Sequence, residues 1–259
     1  MRFVRLSVAL AIYNLRAYLR SARTVALGII MPVGLLVILS WVFSHQGTIA
    51  AAAGYPISAI AFYAGGLTAY GLMLGTFTGV MVAVVSAREA GWLKRFRVSP
   101  LPPGSYLTGQ IVFNVIISFG LVIVMLAISA LVYGLHLRLV ALVAMFCYTL
   151  LGVFSFTAIA LAISRLITTA ELGSSVGPFV TITLSFTSGV FLPPDLMPRW
   201  LVDISNYLPL EPLAQSMQTT LSATTGTGFL LRTFITLGIW GVIAFVIARW
   251  SFTWQPLRR

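Results

Sequence analysis

The chain has 259 residues, of which 59% are apolar and 8% carry a formal charge, and its net charge is +11. A soluble fold presents roughly a quarter charged residues to water, so this balance excludes an ordinary water-soluble domain and requires a surface that faces lipid. The positive excess would suggest nucleic acid in a soluble protein, whereas in a membrane protein it reports orientation, because Lys and Arg collect on cytoplasmic loops.

The first 23 residues, MRFVRLSVALAIYNLRAYLRSAR, are basic and then apolar, like a signal peptide. Asn14, Arg16 and Arg20 break the apolar region and no small-residue cleavage site follows, so the segment is expected to stay in the mature chain. On a helical wheel Arg2, Arg5, Arg16, Arg20 and Arg23 fall within an arc of about 60°, while Phe3, Val4, Leu6, Leu10, Leu15 and Leu19 lie elsewhere. The pattern predicts an amphipathic helix over 1–23 on the cytoplasmic membrane face, held by anionic lipid or docking a partner.

No charged residue occurs in 24–87, 98–137, 139–164 or 172–194. Each gap holds at least one span of roughly 20 residues, the number that crosses about 30 Å of hydrocarbon. The first span is expected over 24–43, kinked at Pro32, and an uncharged outer loop over 44–58 follows. The second covers 59–87 and carries Gly71, Gly75 and Gly79, a small-xxx-small stripe that admits a close helix neighbour.

A loop over 88–105 separates it from the third span, 106–135. The first ten residues of that loop can form a short amphipathic helix. Trp92, Leu93 and Phe96 are its apolar contacts, Lys94, Arg95 and Arg97 its charges, and the SPLPP run stops it. Such a helix either transmits a push between spans or serves as a positive-inside anchor.

A tight turn at 136–139 leads to a fourth span over 140–163, and a turn with Arg165 and Glu171 leads to a fifth over 174–191. Thr181, Ser185 and Ser188 share one face of that span and Thr183 and Thr187 another. Hydroxyls there can line a pathway or bond back to the helix and its neighbours. Gln110 and Asn114 in the third span are similar candidates.

Residues 192–228 are too polar and too rich in Pro to cross a membrane, and they predict two short re-entrant helices at the outer face, beginning at Asp195 and Pro212. The sixth span lies between Arg232 and Arg249, which snorkel to the interfaces. The expected fold is therefore all-α and polytopic, a single domain over 1–259 with six transmembrane helices. With both termini inside, thirteen of the sixteen basic residues are cytoplasmic and three (Arg138, Arg199, Arg232) are outside, which favours N-in, C-in. Trp41, Trp200, Trp250 and Trp254 fall near span ends, where indole rings settle at the headgroup level.

The expected spans contain no ionisable residue, which argues against coupling to protons or sodium. His45 and His136 lie in outer loops, and Cys147, the single cysteine, is a small packing residue without a disulfide partner. Neither a nucleophile-base pair nor a metal-ligand cluster stands at usable spacing, and the only Lys is followed by Arg95, so there is no phosphate-binding loop. Any energy for work must come from another chain.

Two segments and the layout then carry a resemblance. After span two stand Glu89, Gly91, Leu93, the basic run Lys94 to Arg97, Pro100 and Leu101; after span five stand Ser188, Gly189, Pro193, Met197, Pro198, Trp200, Leu201, Pro209 and Leu210. With the amphipathic entry helix and six spans, the chain resembles the ABC-2 family of permeases, the membrane subunits of bacterial ABC exporters, and especially the antibiotic- and daunorubicin-resistance type. The resemblance implies a bacterial plasma-membrane protein with no ATPase site or cofactor of its own, ATP-Mg being held by a partner. It implies a cytoplasmic ABC ATPase docking on Arg88, Glu89, Gly91, Trp92, Leu93, Lys94, Arg95, Phe96 and Arg97. It also implies a second permease subunit, identical or sister, with a pathway at their interface faced by spans two and five. An uncharged pathway favours an apolar or amphiphilic substrate, such as a drug or lipid. A polysaccharide or glycolipid permease is the rival within transport, and a non-transporting assembly or immunity protein is the rival outside it.

Overall fold

The computed structural model describes residues 2–43, 48–50, 56–91, 103–222 and 229–251. Helix α1 (Arg2–Arg20) is followed by a short helix α2 (Ala22–Val25), a wide π-helical turn (Ala26–Ile30) and helix α3 (Met31–Phe43). The expected first span is thus divided, and the break precedes Pro32. A proline ring crowds the carbonyl four residues back and gives it no hydrogen, and a turn widened by one residue relieves that crowding.

The loop expected over 44–58 contains a small antiparallel hairpin, β1 (Thr48–Ala50) and β2 (Pro56–Ser58), with Ile49 opposite Ile57. Both isoleucines are buried, which gives the hairpin its inner face. Ser58 then accepts a hydrogen bond from the Ala61 amide at 3.2 Å and caps helix α4 (Ala59–Met73).

Helix α4 is the centre of the fold, with every residue but Ile60 buried. A second π turn (Leu74–Thr78) joins it to α5 (Gly79–Glu89), so the helical run is 31 residues long. Gly91, at φ 71°, turns the chain away in the left-handed region that side chains disfavour. This corrects the sequence expectation of a separate helix beginning at Arg88, because Arg88 and Glu89 form the last turn of α5. Trp92, Leu93, Lys94, Arg95, Phe96 and Arg97 lie outside the described residues, as do His45 and Trp254.

Helices α6 (Pro103–Leu131), α7 (Leu139–Ser164) and α8 (Ala170–Thr187) follow. Helix α8 begins and ends earlier than the expected fifth span. Its start is fixed by Thr169, whose hydroxyl accepts from the Leu172 amide at 3.3 Å. Beyond it come a single 3₁₀ turn (Pro194–Leu196), α9 (Arg199–Ser205), α10 (Leu210–Leu221) and α11 (Leu231–Ser251). Pro212 therefore does not begin its helix. It occupies the first turn of α10, where an amide has no partner within the helix and its absence costs nothing.

Among the described residues, four helical runs are long and apolar enough to cross a membrane: Ala59–Glu89, Thr108–Leu131, Leu139–Ser164 and Leu231–Trp250. Gly28–Phe43 is apolar but shorter. Helix α8 is diluted by Glu171, Pro178 and its hydroxyls. Trp41, Trp200 and Trp250 are all largely exposed.

Helix α10 is not a surface element. All of its residues are buried, and it lies along α4 where Gly65 faces it. A Cβ on Gly65 would stand 2.4 Å from the Gln218 backbone nitrogen, so the two backbones touch. Helix α11 packs along α7. A Cβ on Gly241 would meet the Phe154 ring at 2.8 Å, and the Ser155 hydroxyl donates to the Leu237 carbonyl at 2.7 Å.

Helix α1 lies along α6. Ser7 and Ala11 are buried, Gly109 lets the two backbones approach, and Asn14 donates to Gln110 at 3.1 Å. Val4, Val8, Ile12 and Leu19 remain exposed on a second face, and Arg5, Arg16 and Arg20 on a third. The helix is three-sided where the sequence suggested two sides, because its small and amide side chains form a protein-facing seam.

Candidate functional site

A cleft of about 700 Å³ opens between α1, the first π turn, the α4–α5 run, α6 and α8. Both π turns border it, with Gly28 and Ile29 from the first and Leu74, Gly75 and Thr78 from the second. π-helical turns cluster at functional sites because the extra residue widens the helix and re-aims its groups. Opposite them stand Gln110, Asn114 and Ser118 of α6, Asn14 and Tyr18 of α1, and Pro178 and Ile182 of α8. None of the described residues lining the cleft is charged.

The polar groups in its wall are mostly partnered. Asn14 bonds Gln110, Asn114 donates to Thr157 Oγ1 at 3.2 Å, and the Thr78 and Thr181 hydroxyls are 2.9 Å apart. Tyr70 directs its hydroxyl to the Met31 sulfur at 3.7 Å. Such a wall is apolar over most of its area and offers amide and hydroxyl dipoles at fixed places, the composition of a small-molecule site.

The candidates taken from the sequence divide sharply here. Gln110 and Asn114 line the cleft, while none of Thr181, Thr183, Ser185, Thr187 and Ser188 does. Thr181 and Ser185 are buried, and Ser185 bonds back to the Thr181 carbonyl at 2.7 Å. Thr187 bonds back to the Leu184 carbonyl at 3.0 Å, and Thr183 is exposed. Hydroxyls at helical spacing serve the backbone of their own helix when no other acceptor is near. The part of α8 that reaches the cleft is Pro178 and Ile182, which a search for polar groups passes over.

The glycine stripe also divides. A Cβ on Gly71 would meet Leu121 at 2.7 Å and Pro32 at 3.1 Å, so close packing is real there. Gly75 has nothing within 4 Å, and Gly79 has only its own helix's Leu74 carbonyl at 4.0 Å. Gly75 and Gly79 line the cleft instead. Asn14, Tyr18, Tyr70 and Thr78 were not among the sequence candidates. An amide at 14 within an otherwise apolar and basic helix was the one available sign.

Buried charge lies just outside the expected spans. Arg88 is 4% exposed, and its guanidinium donates to the carbonyls of Ser164 at 3.1 Å and of Ile167. Glu89 accepts from the Ala170 amide at 2.7 Å. Glu211, on buried α10, is also 4% exposed and pairs with Arg232 at 3.2 Å, while Arg232 donates as well to the Asn206 carbonyl at 2.9 Å. The second carboxylate oxygen of Glu211 and the Ser188 hydroxyl are buried without a hydrogen-bond partner among the described residues.

Burial pushes the Glu211 carboxyl up to about 7 from 4.5, against the opposing pull of Arg232. The folded chain therefore binds this proton more tightly than the unfolded chain. Stability falls as pH rises from about 4.5 to about 7 and stays at the lower level above. Glu211→Gln is expected to raise the melting temperature at pH 8 and to leave it nearly unchanged near pH 5. One pKa unit corresponds to ~1.4 kcal/mol, which puts the ceiling of the gain at about 3 kcal/mol. Thermal unfolding in detergent across that pH range checks the sign, and a gain that grows toward pH 5 would contradict it.

A family model described as ABC-2 type transporter matches residues 6–222 of the chain. The match takes in every described residue that lines the cleft and stops before α11. No protein of curated function matches the chain.

Proposed function

The chain belongs to the ABC-2 type transporter family, and from that premise we propose that it is the permease half of an ATP-driven exporter for an apolar or amphiphilic molecule. It is a membrane protein and a component of a transport system, and ABC-2 permeases work with an ABC ATPase. In the proposed arrangement the chain crosses a bacterial plasma membrane six times, with Gly28–Phe43 and α8 as the shorter spans. Both ends lie in the cytoplasm, where α1 rests against anionic headgroups. Residues 88–105 receive a cytoplasmic ATPase, and a second permease, identical or sister, completes the unit. ATP-Mg is held by the ATPase.

The observation that carries the substrate assignment is the uncharged cleft. An ionic solute entering it would shed water and find no counter-charge, at a cost of several kcal/mol. An amphiphile loses little, because its apolar part meets apolar wall and its amides or hydroxyls meet Asn14, Gln110 and Asn114. Export follows two states of the assembly, with ATP closure of the ATPases changing which side the cleft opens to.

The test is to purify the permease from native membrane with whatever ATPase accompanies it and to reconstitute the complex in vesicles. ATP-dependent movement of an uncharged fluorescent amphiphile, competed by other amphiphiles and not by organic ions of the same size, is the expected result. If no ATPase accompanies the chain, or if only ions move, the proposal fails.

A further inference from the structure

Two neighbouring residues at the end of α5 hold the turn between α7 and α8 from both sides. Arg88 donates to the carbonyl of Ser164, the last residue of α7, and to that of Ile167 within the turn. Glu89 accepts from the amide of Ala170, the first residue of α8. A helix ends in unpaired carbonyls and begins in unpaired amides, so its two ends carry opposite partial charge. The cation therefore meets the negative end of α7 and the anion meets the positive end of α8. Exchanging the two charges would set like against like at both places. Consecutive residues on a helix point about 100° apart, which is how one of them is buried while Glu89 stays at the surface.

We infer that Arg88 and Glu89 form a latch that makes the end of α5 and the α7–α8 turn move as one body. Force arriving at the loop beyond Gly91 then reaches α7 and α8 as well as α5 and α6. Helix α8 contributes Pro178 and Ile182 to the cleft wall, so the latch connects that loop to the cleft. This rests on the reading that an ATPase acts on the loop. The two residues are positioning residues, since neither lines the cleft. Arg88 is the permanent half, buried and doubly bonded. Glu89 is the releasable half, because its bond from the Ala170 amide faces solvent and is screened.

The test uses the permease–ATPase complex in vesicles, with spin labels at Ala90 and Leu166, both exposed. In the parent protein the distance between the labels is expected to stay constant when ATP binds. In Glu89→Ala it is expected to broaden, and Glu89→Asp restores the parent distribution. Transport per ATP hydrolysed should fall roughly tenfold in Glu89→Ala, the size of an ordinary coupling between sites, with the melting temperature unchanged. A merely structural Glu89 would lower the melting temperature and leave the ratio alone. Labels that separate on ATP binding in the parent protein overturn the latch even where transport is ATP-driven. A complex that moves no amphiphile overturns the exporter reading, and the label distances in Glu89→Ala and Glu89→Asp still decide whether the latch exists.

Discussion

Gly75→Leu is expected to leave the protein folded and to abolish its transport. The position sits in the second π turn, borders the cleft, and has no atom within 4 Å of where a Cβ would stand. Leucine is also a better helix former than glycine, which stands about 0.8–1 kcal/mol below alanine, so thermal stability should hold or rise slightly. The added side chain points into the space that a substrate would occupy. A fall in transport of at least about tenfold, equal to ~1.4 kcal/mol of lost binding or barrier lowering, is the expected size. Vesicle transport and a melting curve on the same preparation measure both halves. Full transport by a folded Gly75→Leu variant would mean that the cleft is not on the pathway.

Gly65→Ala should do the reverse, with no direct contact to the cleft and a large loss of stability. Here the new methyl would lie 2.4 Å from the Gln218 nitrogen and 2.6 Å from the Met217 carbonyl carbon, both backbone atoms of buried α10. Backbone cannot rotate aside as a side chain can, so α10 must shift along its whole contact with α4. Overpacking a core by a methyl typically costs about 1–3 kcal/mol, and a displaced helix belongs at the upper end of that range. The control is Gly34→Ala, where nothing lies within 4 Å. Gly65→Ala should lower the melting temperature strongly while Gly34→Ala leaves it level or higher. Equal melting temperatures would show that α4 and α10 are not in backbone contact.

These two glycines show why hydropathy revealed four candidate spans and not the cleft. Gaps in charge mark apolar helices whatever they touch, so the runs at 59–89, 139–164 and 231–250 were readable. The same measure cannot tell a lipid-facing leucine from a buried one, and it therefore gave no sign that α4 is enclosed. The stripe of Gly71, Gly75 and Gly79 has the spacing of a close contact, yet contact depends on what stands opposite, and only Gly71 has a neighbour there. Gly65, the closest approach, precedes the stripe. Burial of α10 was equally hidden, because Gln215, Gln218 and its threonines make it read as surface until their partners are known. Gln218 donates to the Gly189 carbonyl at 2.8 Å, and Thr219 to its own helix. The π turns have no sequence signature beyond a nearby proline or glycine, and they are what widens the helices around the cleft.

The three-sided build of α1 bears on the order in which the protein is made. Its seam is completed by α6, and Asn14 waits for Gln110, 96 residues further along the chain. At ribosomal speeds of about 5–20 residues per second, that partner emerges roughly 5–20 s later. During the interval Asn14 needs water, while Val4, Val8, Ile12 and Leu19 need lipid and the arginines need anionic headgroups. Only the bilayer surface supplies all three at once. In the proposed arrangement the same exposed faces keep the segment from entering the hydrocarbon as a span, and α6 docks onto a helix already lying in place.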